Sequence, residues 1–431
     1  MKISYSKYLK AATLLTVCLF LTLHSHANSR LLLENVYCNN EINDSTELLD
    51  NNADTLISES DKPWPYNIKE RIDQLLDNDM FETSTVGICV YDLTADSTIY
   101  CHNEKQLMRP ASTMKMIVAV AALDKLGYNH EYNTRLAFTG EKSGNVLNGD
   151  IWCKGDFDPA FKQRDLEEFV DSIISLGVDT INGKLIADLS MKDDLMLGEG
   201  WCWDDDNPIL SPLLVSEKNN FMERLSKKLK NAGIIVTGET ETGRMPDDAT
   251  MLCTITRTIN DILPRMMKKS DNLYAETIFY HLAASANHSR PATAKAGRQM
   301  INKMISGFGL KPSDYYMADG SGLSLYNYVS PLLEVEFLKY AYHKTPVYAH
   351  LYESMPIAGI DGTLDKRMRN GYARGNVHAK TGTVTGVSAL AGYCTAANGH
   401  VICFSIINMG IRHSSSGRRF QDKVCEALCR P

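Results

Sequence analysis

The chain has 431 residues, a formal net charge of −7, and contents of 44% hydrophobic and 23% charged residues. This composition excludes a fibrous or wholly disordered protein, and the length predicts two domains or one large domain with an insertion. The acidic balance and the lack of a long Lys/Arg run argue against nucleic acid as a partner.

The N-terminus has the pattern of an export signal. Lysines precede an uncharged apolar run at 11–23, and small residues suit a cleavage site after Ala27. The pattern predicts a cleavable signal peptide at 1–27 and export to the periplasm. Because the run is shorter than the about 20 residues that cross a bilayer, no stable membrane span is expected after cleavage. An uncleaved anchor and lipidation at Cys18 are the alternatives.

The rest of the chain divides into three predicted parts. Residues 40–62 are rich in Asn, Asp, Glu and Ser, and a disordered acidic linker is predicted at 28–65. Residues 134–245 combine short strand-like pieces with many Gly and Asp, and are predicted as an inserted domain of mixed short strands and helices. The flanking parts, 66–133 and 246–431, then form one discontinuous main domain.

Hydrophobic periodicity predicts an α+β fold for the main domain. One β-hairpin precedes a helix that is apolar almost all round and should be buried, and a second hairpin and a helix close the chain. The two hairpins are expected to join in one antiparallel sheet with helices on both sides. The predicted strands are 86–91, 97–101, 384–394 and 401–407, and the predicted helices are 113–126, 166–176, 220–232, 271–284, 294–308, 331–342 and 417–428.

The sequence contains eleven cysteines, one of which lies in the predicted signal. An oxidising compartment permits disulfides, and without a CxxC pair no zinc site is expected. If Asn398-Gly399 forms a two-residue turn, Cys394 and Cys403 face each other across the second hairpin and are the best disulfide candidate. Two buried thiols on one sheet face are the alternative.

Ser112-Thr113-Met114-Lys115 stands at the start of the buried helix. Residues three apart share a helix face, so the Ser112 hydroxyl and the Lys115 amine are expected to lie together. A serine hydroxyl needs a base to act as a nucleophile, and a lysine serves as that base when burial or a nearby cation lowers its pKa. The alternative is a serine that caps the helix and a lysine that extends to the surface.

Lys380-Thr381-Gly382-Thr383 stands at the entrance to the predicted strand 384–394. It offers a positive charge, a hydroxyl and a glycine that leaves room for a ligand beside the backbone. An edge strand would add unpaired backbone groups for an extended peptide. A solvated lysine at a strand end is the alternative.

Ser270-Asp271-Asn272 opens the predicted helix 271–284, where a simple N-cap is the alternative. The three motifs in this order are the set typical of serine β-lactamases and penicillin-binding proteins. Together they favour function over the separate structural alternatives.

A long segment separates Ser112 from Ser270, and in this the chain resembles the D-Ala-D-Ala carboxypeptidase/endopeptidase family, the low-molecular-mass class C penicillin-binding proteins. The resemblance covers about 66–429, although the family's usual insertion is longer. The matching stretches are Gly155-Asp156-Phe157-Asp158-Pro159, Ser270-Asp271-Asn272-Leu273-Tyr274-Ala275-Glu276, Asp319-Gly320-Ser321-Gly322-Leu323-Ser324, Gly362-Thr363-Leu364 and His378-Ala379-Lys380-Thr381-Gly382-Thr383.

The resemblance implies a β-lactamase/transpeptidase-like fold and a serine peptidase that needs no metal or organic cofactor. Its expected partners are peptidoglycan peptides and β-lactams. Ser112 would attack the carbonyl of the penultimate D-alanine, Lys115 would act as general base, Ser270 would relay a proton, and Asn272 would bind the substrate peptide.

The strand motif would bind the substrate. Lys380 and Thr381 would hold the terminal carboxylate, Gly382 would let the ligand approach, and the backbone N–H groups of Ser112 and Thr383 would form the oxyanion hole. Two other functions stay open: a β-lactamase, for which the sequence identifies no deacylating glutamate, and a binding module without turnover, against which the intact motifs argue. Neither the balance of carboxypeptidase and endopeptidase activity nor the oligomeric state follows from the sequence.

Overall fold

The computed structural model describes residues 64–204, 206–286 and 291–431. The predicted signal peptide, and the predicted linker up to residue 63, lie outside the described residues. Within the described part of the chain, no helix is both long enough and apolar enough to cross a bilayer.

One antiparallel sheet of five strands organises the main domain. Its order is β12-β13-β14-β1-β2, so the two predicted hairpins join as expected. Neighbouring strands are antiparallel throughout, for example Gly87 opposite Ile407 and Ala389 opposite Ile407 on its other side. The strands are β1 (Thr85–Asp92), β2 (Ser97–His102), β12 (His378–Val384), β13 (Val387–Thr395) and β14 (Val401–Met409).

Helices cover both faces of this sheet, which confirms the predicted layers. Successive side chains of a strand point to opposite faces, so Ile88 and Val90 lie in one core and Cys89 in the other. The core around Ile88 is closed by α1 (Tyr66–Leu76) and α10 (Ser414–Cys429). Since both faces are covered, the central strands are almost wholly apolar rather than alternating.

The other core surrounds α2 (Met114–Leu126), which is buried from Met114 to Leu123. Its apolar residues run all round the helix because other helices and the sheet enclose it on every side. The remaining helices of this part are α5 (Ile259–Lys268), α6 (Asn272–Ala284), α7 (Ala294–Gly307), α8 (Pro331–Tyr342) and α9 (Thr345–Ser354).

Residues 131–258 contain two further sheets, and the domain bounds 134 and 245 stay a prediction. The larger sheet has the order β10-β8-β6-β3-β11, and the smaller has the order β4-β5-β7-β9. A separate core joins them to the two helices of this region. The elements are β3 (Glu131–Phe138), β4 (Glu141–Ser143), β5 (Val146–Asn148), β6 (Ile151–Lys154), α3 (Gln163–Ser175), β7 (Thr180–Ile181), β8 (Leu185–Asp188), α4 (Phe221–Asn231), β9 (Ile235–Val236), β10 (Thr240–Thr242) and β11 (Thr250–Thr258).

The expected pairing of Cys394 with Cys403 is wrong. Cys394 lies opposite Ile402, and Cys403 lies opposite Tyr393. The loop between β13 and β14 is one residue longer than a two-residue turn, since Ala396 pairs with His400. A shift of one residue turns a side chain to the other sheet face, so the two thiols belong to different cores.

Candidate active site

The Ser112 hydroxyl lies 2.9 Å from the Lys115 amine. A 3₁₀ turn at Ala111–Thr113 leads into α2 and presents Ser112 half-buried, while Lys115 is completely buried one turn later. The residue that caps α2 is Thr113, which makes no side-chain cap bond. Ser112 therefore does not cap the helix, and Lys115 does not extend to the surface.

Two backbone features fix the direction of the Ser112 side chain. Ala111 has a φ of 49°, in the left-handed region that costs a non-glycine residue energy. Gly322 packs against it so closely that a Cβ there would lie 1.8 Å from the Ala111 carbonyl oxygen. The close contact restricts the position of the turn.

The Lys115 amine also contacts Asn272 Oδ1 at 2.8 Å and the Ser321 carbonyl oxygen at 2.7 Å. Burial lowers its pKa to about 8, against the opposing effect of Asp319, Glu276 and Asp271. A neutral amine has two N–H donors and one lone pair. It can therefore donate to Asn272 and Ser321 while accepting the proton of Ser112, which is the geometry of a general base.

Lys380 on β12 is also completely buried. Its amine contacts the Ser270 hydroxyl at 2.8 Å and the Thr381 carbonyl oxygen at 2.7 Å. Burial and then repulsion from Lys115 lower the pKa of Lys380. A charge on Lys115 therefore disfavours a second charge on Lys380.

The N-cap of α6 is Asp271 rather than Ser270. Asp271 Oδ1 accepts the backbone N–H of Tyr274, and Asp271 Oδ2 accepts from Arg265 at 2.8 Å. The helix cap is thus supplied by a different residue, and the Ser270 hydroxyl faces Lys380. Asn272, the first residue of α6, is aimed at Lys115.

The third motif forms its own edge strand, β12, and not the entrance to a strand 384–394. Gly386 turns the chain between β12 and β13 with a φ of 77°. A Cβ on Gly382 would lie 3.1 Å from the Ser112 backbone nitrogen, so the strand runs directly beside Ser112. The Thr381 hydroxyl bonds to the Thr363 hydroxyl at 2.8 Å, and Thr383 is exposed at the end of the strand.

Comparison with known proteins agrees with this geometry. The model of the D-Ala-D-Ala carboxypeptidase 3 (S13) family matches residues 68–214 and 214–429. The chain belongs to this family. The D-alanyl-D-alanine carboxypeptidase DacB of Haemophilus influenzae is 26% identical to this chain, over 75% of this chain and 85% of the length of that protein. A D-alanyl-D-alanine carboxypeptidase of Actinomadura sp. strain R39 is also 26% identical, over 80% of this chain and 81% of the length of that protein.

Solved structures show the fold of this S13 chain. The crystal structure of penicillin binding protein 4 from Haemophilus influenzae superposes with a TM-score of 0.75 at 24% identity, over 84% of this chain and 98% of that one. A peptidoglycan endopeptidase of Bdellovibrio bacteriovorus has a TM-score of 0.52 at 17% identity, over 80% of this chain and 92% of that one. The expected β-lactamase/transpeptidase-like α+β fold is confirmed.

Two buried acids, Glu276 and Asp319, organise this site, although no role for them is predicted from the sequence. Glu276, one turn after Asn272, accepts the backbone N–H groups of Gly320 and Ser321 at 3.1 and 2.8 Å. Asp319 accepts the N–H of Gly322 at 2.8 Å. These bonds fix the loop whose Ser321 carbonyl accepts from Lys115. Helix α6 therefore positions two polar partners of Lys115, Asn272 and Ser321.

Glu334 on α8 supports the nucleophile turn from behind. It is completely buried, hydrogen-bonds to the Thr113 hydroxyl, and accepts the Ser405 hydroxyl at 2.6 Å. The Thr113 hydroxyl also lies 2.8 Å from the Pro110 carbonyl oxygen, and its single hydrogen can serve only one of these two acceptors. A protonated Glu334 satisfies both bonds because it donates to Thr113. Burial raises the pKa of Glu334 to about 7, against the opposing effect of its hydrogen bonds with Ser405 and Thr113.

Replacing Glu334 by glutamine is expected to remove part of the pH dependence of stability. The carboxyl titrates at about pH 4.3 when unfolded but at about 7 when folded. Between these values the folded state holds the proton, so rising pH destabilises the wild type by up to about 3 kcal/mol. Glutamine donates at every pH, and Glu334→Gln should lack this loss.

Urea unfolding at about pH 5 and about pH 8 measures the effect. Glu336→Gln is the matched control, since Glu336 lies on the same helix but is only half-buried and pairs with Lys339. An equal fall in stability for wild type and Glu334→Gln would show that Glu334 is ionised in the folded protein at both pH values.

Proposed function

We propose that this S13 enzyme cleaves D-alanyl-D-alanine bonds of peptidoglycan stem peptides through an acyl-enzyme on Ser112, and that β-lactams acylate the same serine. The observation that carries the proposal is the hydrogen bond of 2.9 Å between Ser112 and the buried Lys115 amine. A second buried amine, Lys380, contacts Ser270, and the charge of Lys115 lowers the pKa of Lys380.

In the proposed reaction Lys115 accepts the hydroxyl proton as Ser112 Oγ bonds to the carbonyl carbon of the penultimate D-alanine. The C–N bond then breaks, and the terminal D-alanine leaves with a proton that Ser270 relays to its amine. Water then bonds to the ester carbon, the bond to Ser112 Oγ breaks, and one proton of the water returns to Oγ. The protons move between side chains, the leaving amine and water, and no step needs a metal or organic cofactor.

The substrate is proposed to lie along β12 as an added antiparallel strand. Lys380 and Thr381 would bind its terminal carboxylate, while the backbone N–H groups of Ser112 and Thr383 would stabilise the oxyanion, at about 3–4 kcal/mol per donor. Gly382 lets the scissile bond approach the nucleophile. The amide nitrogen of Asn272 is proposed to donate to the substrate peptide while its oxygen accepts from Lys115.

Carboxypeptidase and endopeptidase activity break the same kind of bond and differ in the part of the substrate that lies beyond it. Relatives of this chain include proteins named for each activity, and both are proposed here. The apolar segment at 11–23 supports proposed export to the periplasm with cleavage after Ala27. That compartment contains the peptidoglycan substrate.

The β-lactamase alternative requires a base that deacylates the enzyme rapidly. Among the described residues, the buried Glu276 bonds to backbone N–H groups and the buried Glu334 bonds to two hydroxyls. Neither is hydrogen-bonded to Ser112, whose hydroxyl bonds to Lys115. The arrangement therefore favours slow release of penicillin over rapid turnover.

Release of D-alanine from a synthetic stem pentapeptide tests the proposal and also separates an enzyme from a binding module. The wild type is expected to release D-alanine, and Ser112→Ala is expected to release none above background. Ser175→Ala is the control because its hydroxyl bonds within α3, far along the chain from the site. D-Alanine release by Ser112→Ala at the wild-type rate would refute the nucleophile.

A further inference from the structure

Cys89 of β1 and Cys101 of β2 lie directly opposite each other on neighbouring antiparallel strands. Their thiols are hydrogen-bonded to each other. Cys89 is buried and Cys101 half-buried, and both side chains pack into the core that contains α2. The two sulfur atoms therefore lie together on the same face of the five-stranded antiparallel sheet of the main domain.

The backbone pattern places this pair at a position suited to a disulfide. The N–H of Leu93 bonds to the carbonyl of Val401, opposite it on β14, at 2.8 Å. Backbone groups of a strand alternate sides, so Cys89, four residues earlier, also directs its N–H and C=O toward β14. Val86 is three residues before Cys89 and therefore directs its backbone groups to the opposite side. Its carbonyl accepts from the side-chain amide of Asn103, on the β2 side, at 3.0 Å.

Cys89 and Cys101 thus form a non-hydrogen-bonded pair of the β1–β2 ladder. The Cα atoms of such pairs are about 4.5 Å apart, and their side chains approach more closely than in bonded pairs. This separation is within the range of about 4.4–6.8 Å that disulfides span. The strands can be linked without moving the backbone.

We propose that Cys89 and Cys101 form a disulfide bond between β1 and β2 when the chain folds outside the cytoplasm, with a protein or small-molecule disulfide as oxidant. Two S–H bonds break and one S–S bond forms. The two electrons and two protons reduce the disulfide of the oxidant to two thiols. The inference rests on the proposed export, which supplies the oxidising compartment.

Oxidation is assigned to the folding chain rather than to the finished sheet. The hydrogen bond from Cys101 and burial raise the pKa of Cys89 well above its ordinary value. The reactive thiolate is therefore scarce once the core has closed. The bond then fastens the edge strand β2 ten residues before the turn that begins at Ala111 and carries Ser112.

Peptide mass analysis of protein purified from a bacterial periplasm tests for this bond. The full chain is exported by its own N-terminal segment or by a fused signal peptide, and thiols are alkylated under denaturing conditions without reductant. Trypsin releases both cysteines in the single peptide 72–105. The expected peptide is unalkylated and lighter by two hydrogen atoms than the dithiol. Alkylation of both cysteines, or a link from either to another cysteine, overturns the proposal.

Thermal unfolding with and without reductant gives a second measurement. Reductant is expected to lower the melting temperature of the wild type more than that of Cys101→Ala. Cys403→Ala is the matched control, since Cys403 is buried in the same sheet but lies opposite two tyrosines. An equal reductant effect in all three proteins contradicts the proposal. Labelling of the same samples by a fluorescent penicillin reports the peptidase site separately.

Discussion

Replacing Lys115 by methionine is expected to slow acylation by benzylpenicillin by about 10²–10⁴-fold, the usual contribution of a general base. Methionine fills a similar volume but has no lone pair on nitrogen to accept the Ser112 proton. The fold should persist, because replacing a buried polar side chain by an apolar one of similar size removes a desolvation cost.

The second-order rate constant of acylation measures this effect, and circular dichroism checks the fold. Lys125→Met is the matched control, since Lys125 is an exposed lysine near the end of the same helix. Acylation of Lys115→Met within a few-fold of wild type would remove Lys115 as the base.

Replacing Gly322 by alanine should have the next largest effect. The added Cβ would lie 1.8 Å from the Ala111 carbonyl oxygen, at a φ of 79° that disfavours a side chain. Overpacking and left-handed backbone together should cost about 2–4 kcal/mol of stability. Displacing the turn by about 1 Å should slow acylation by about 10²-fold.

Gly309→Ala separates the two causes. Gly309 has a φ of 76° but no heavy atom within 4 Å of an added Cβ. It should therefore lose stability from the backbone conformation alone and keep the wild-type acylation rate. If Gly322→Ala acylates as fast as Gly309→Ala, the contact with Ala111 does not position the nucleophile.

Local patterns are sufficient to predict the elements that present the chemistry. The spacing of Ser112 and Lys115 places both on one helix face, and the β-rich composition at 86–91 predicts β1. That the three motifs meet follows from their resemblance to a family and not from the residues alone. The distance from Lys380 to Ser270 depends on contacts between segments far apart in the chain, which periodicity does not reveal.

Three features are not predicted from sequence patterns, namely helix α5, the register of β13 and β14, and the role of Glu334. Pro264 lies inside α5 and is typical of a helix break, although the helix forms around it. The register of β13 and β14 depends on one additional residue in the loop between them. That residue shifts the pairing, so Cys394 and Cys403 lie on opposite faces of the sheet. Glu334 gives no signal in a helix of apolar neighbours, because its role depends on Thr113 and Ser405 in other elements.

The central claim is that the neutral amine of Lys115 activates Ser112, and that burial favours this neutral form by lowering the pKa of Lys115. Its most direct test is the pH dependence of the second-order rate constant for acylation of the free enzyme by benzylpenicillin. With the pKa of Lys115 lowered to about 8, the rate should rise about tenfold from about pH 7 to a plateau above about pH 9. A rate that is constant or falls over this interval would contradict the claim.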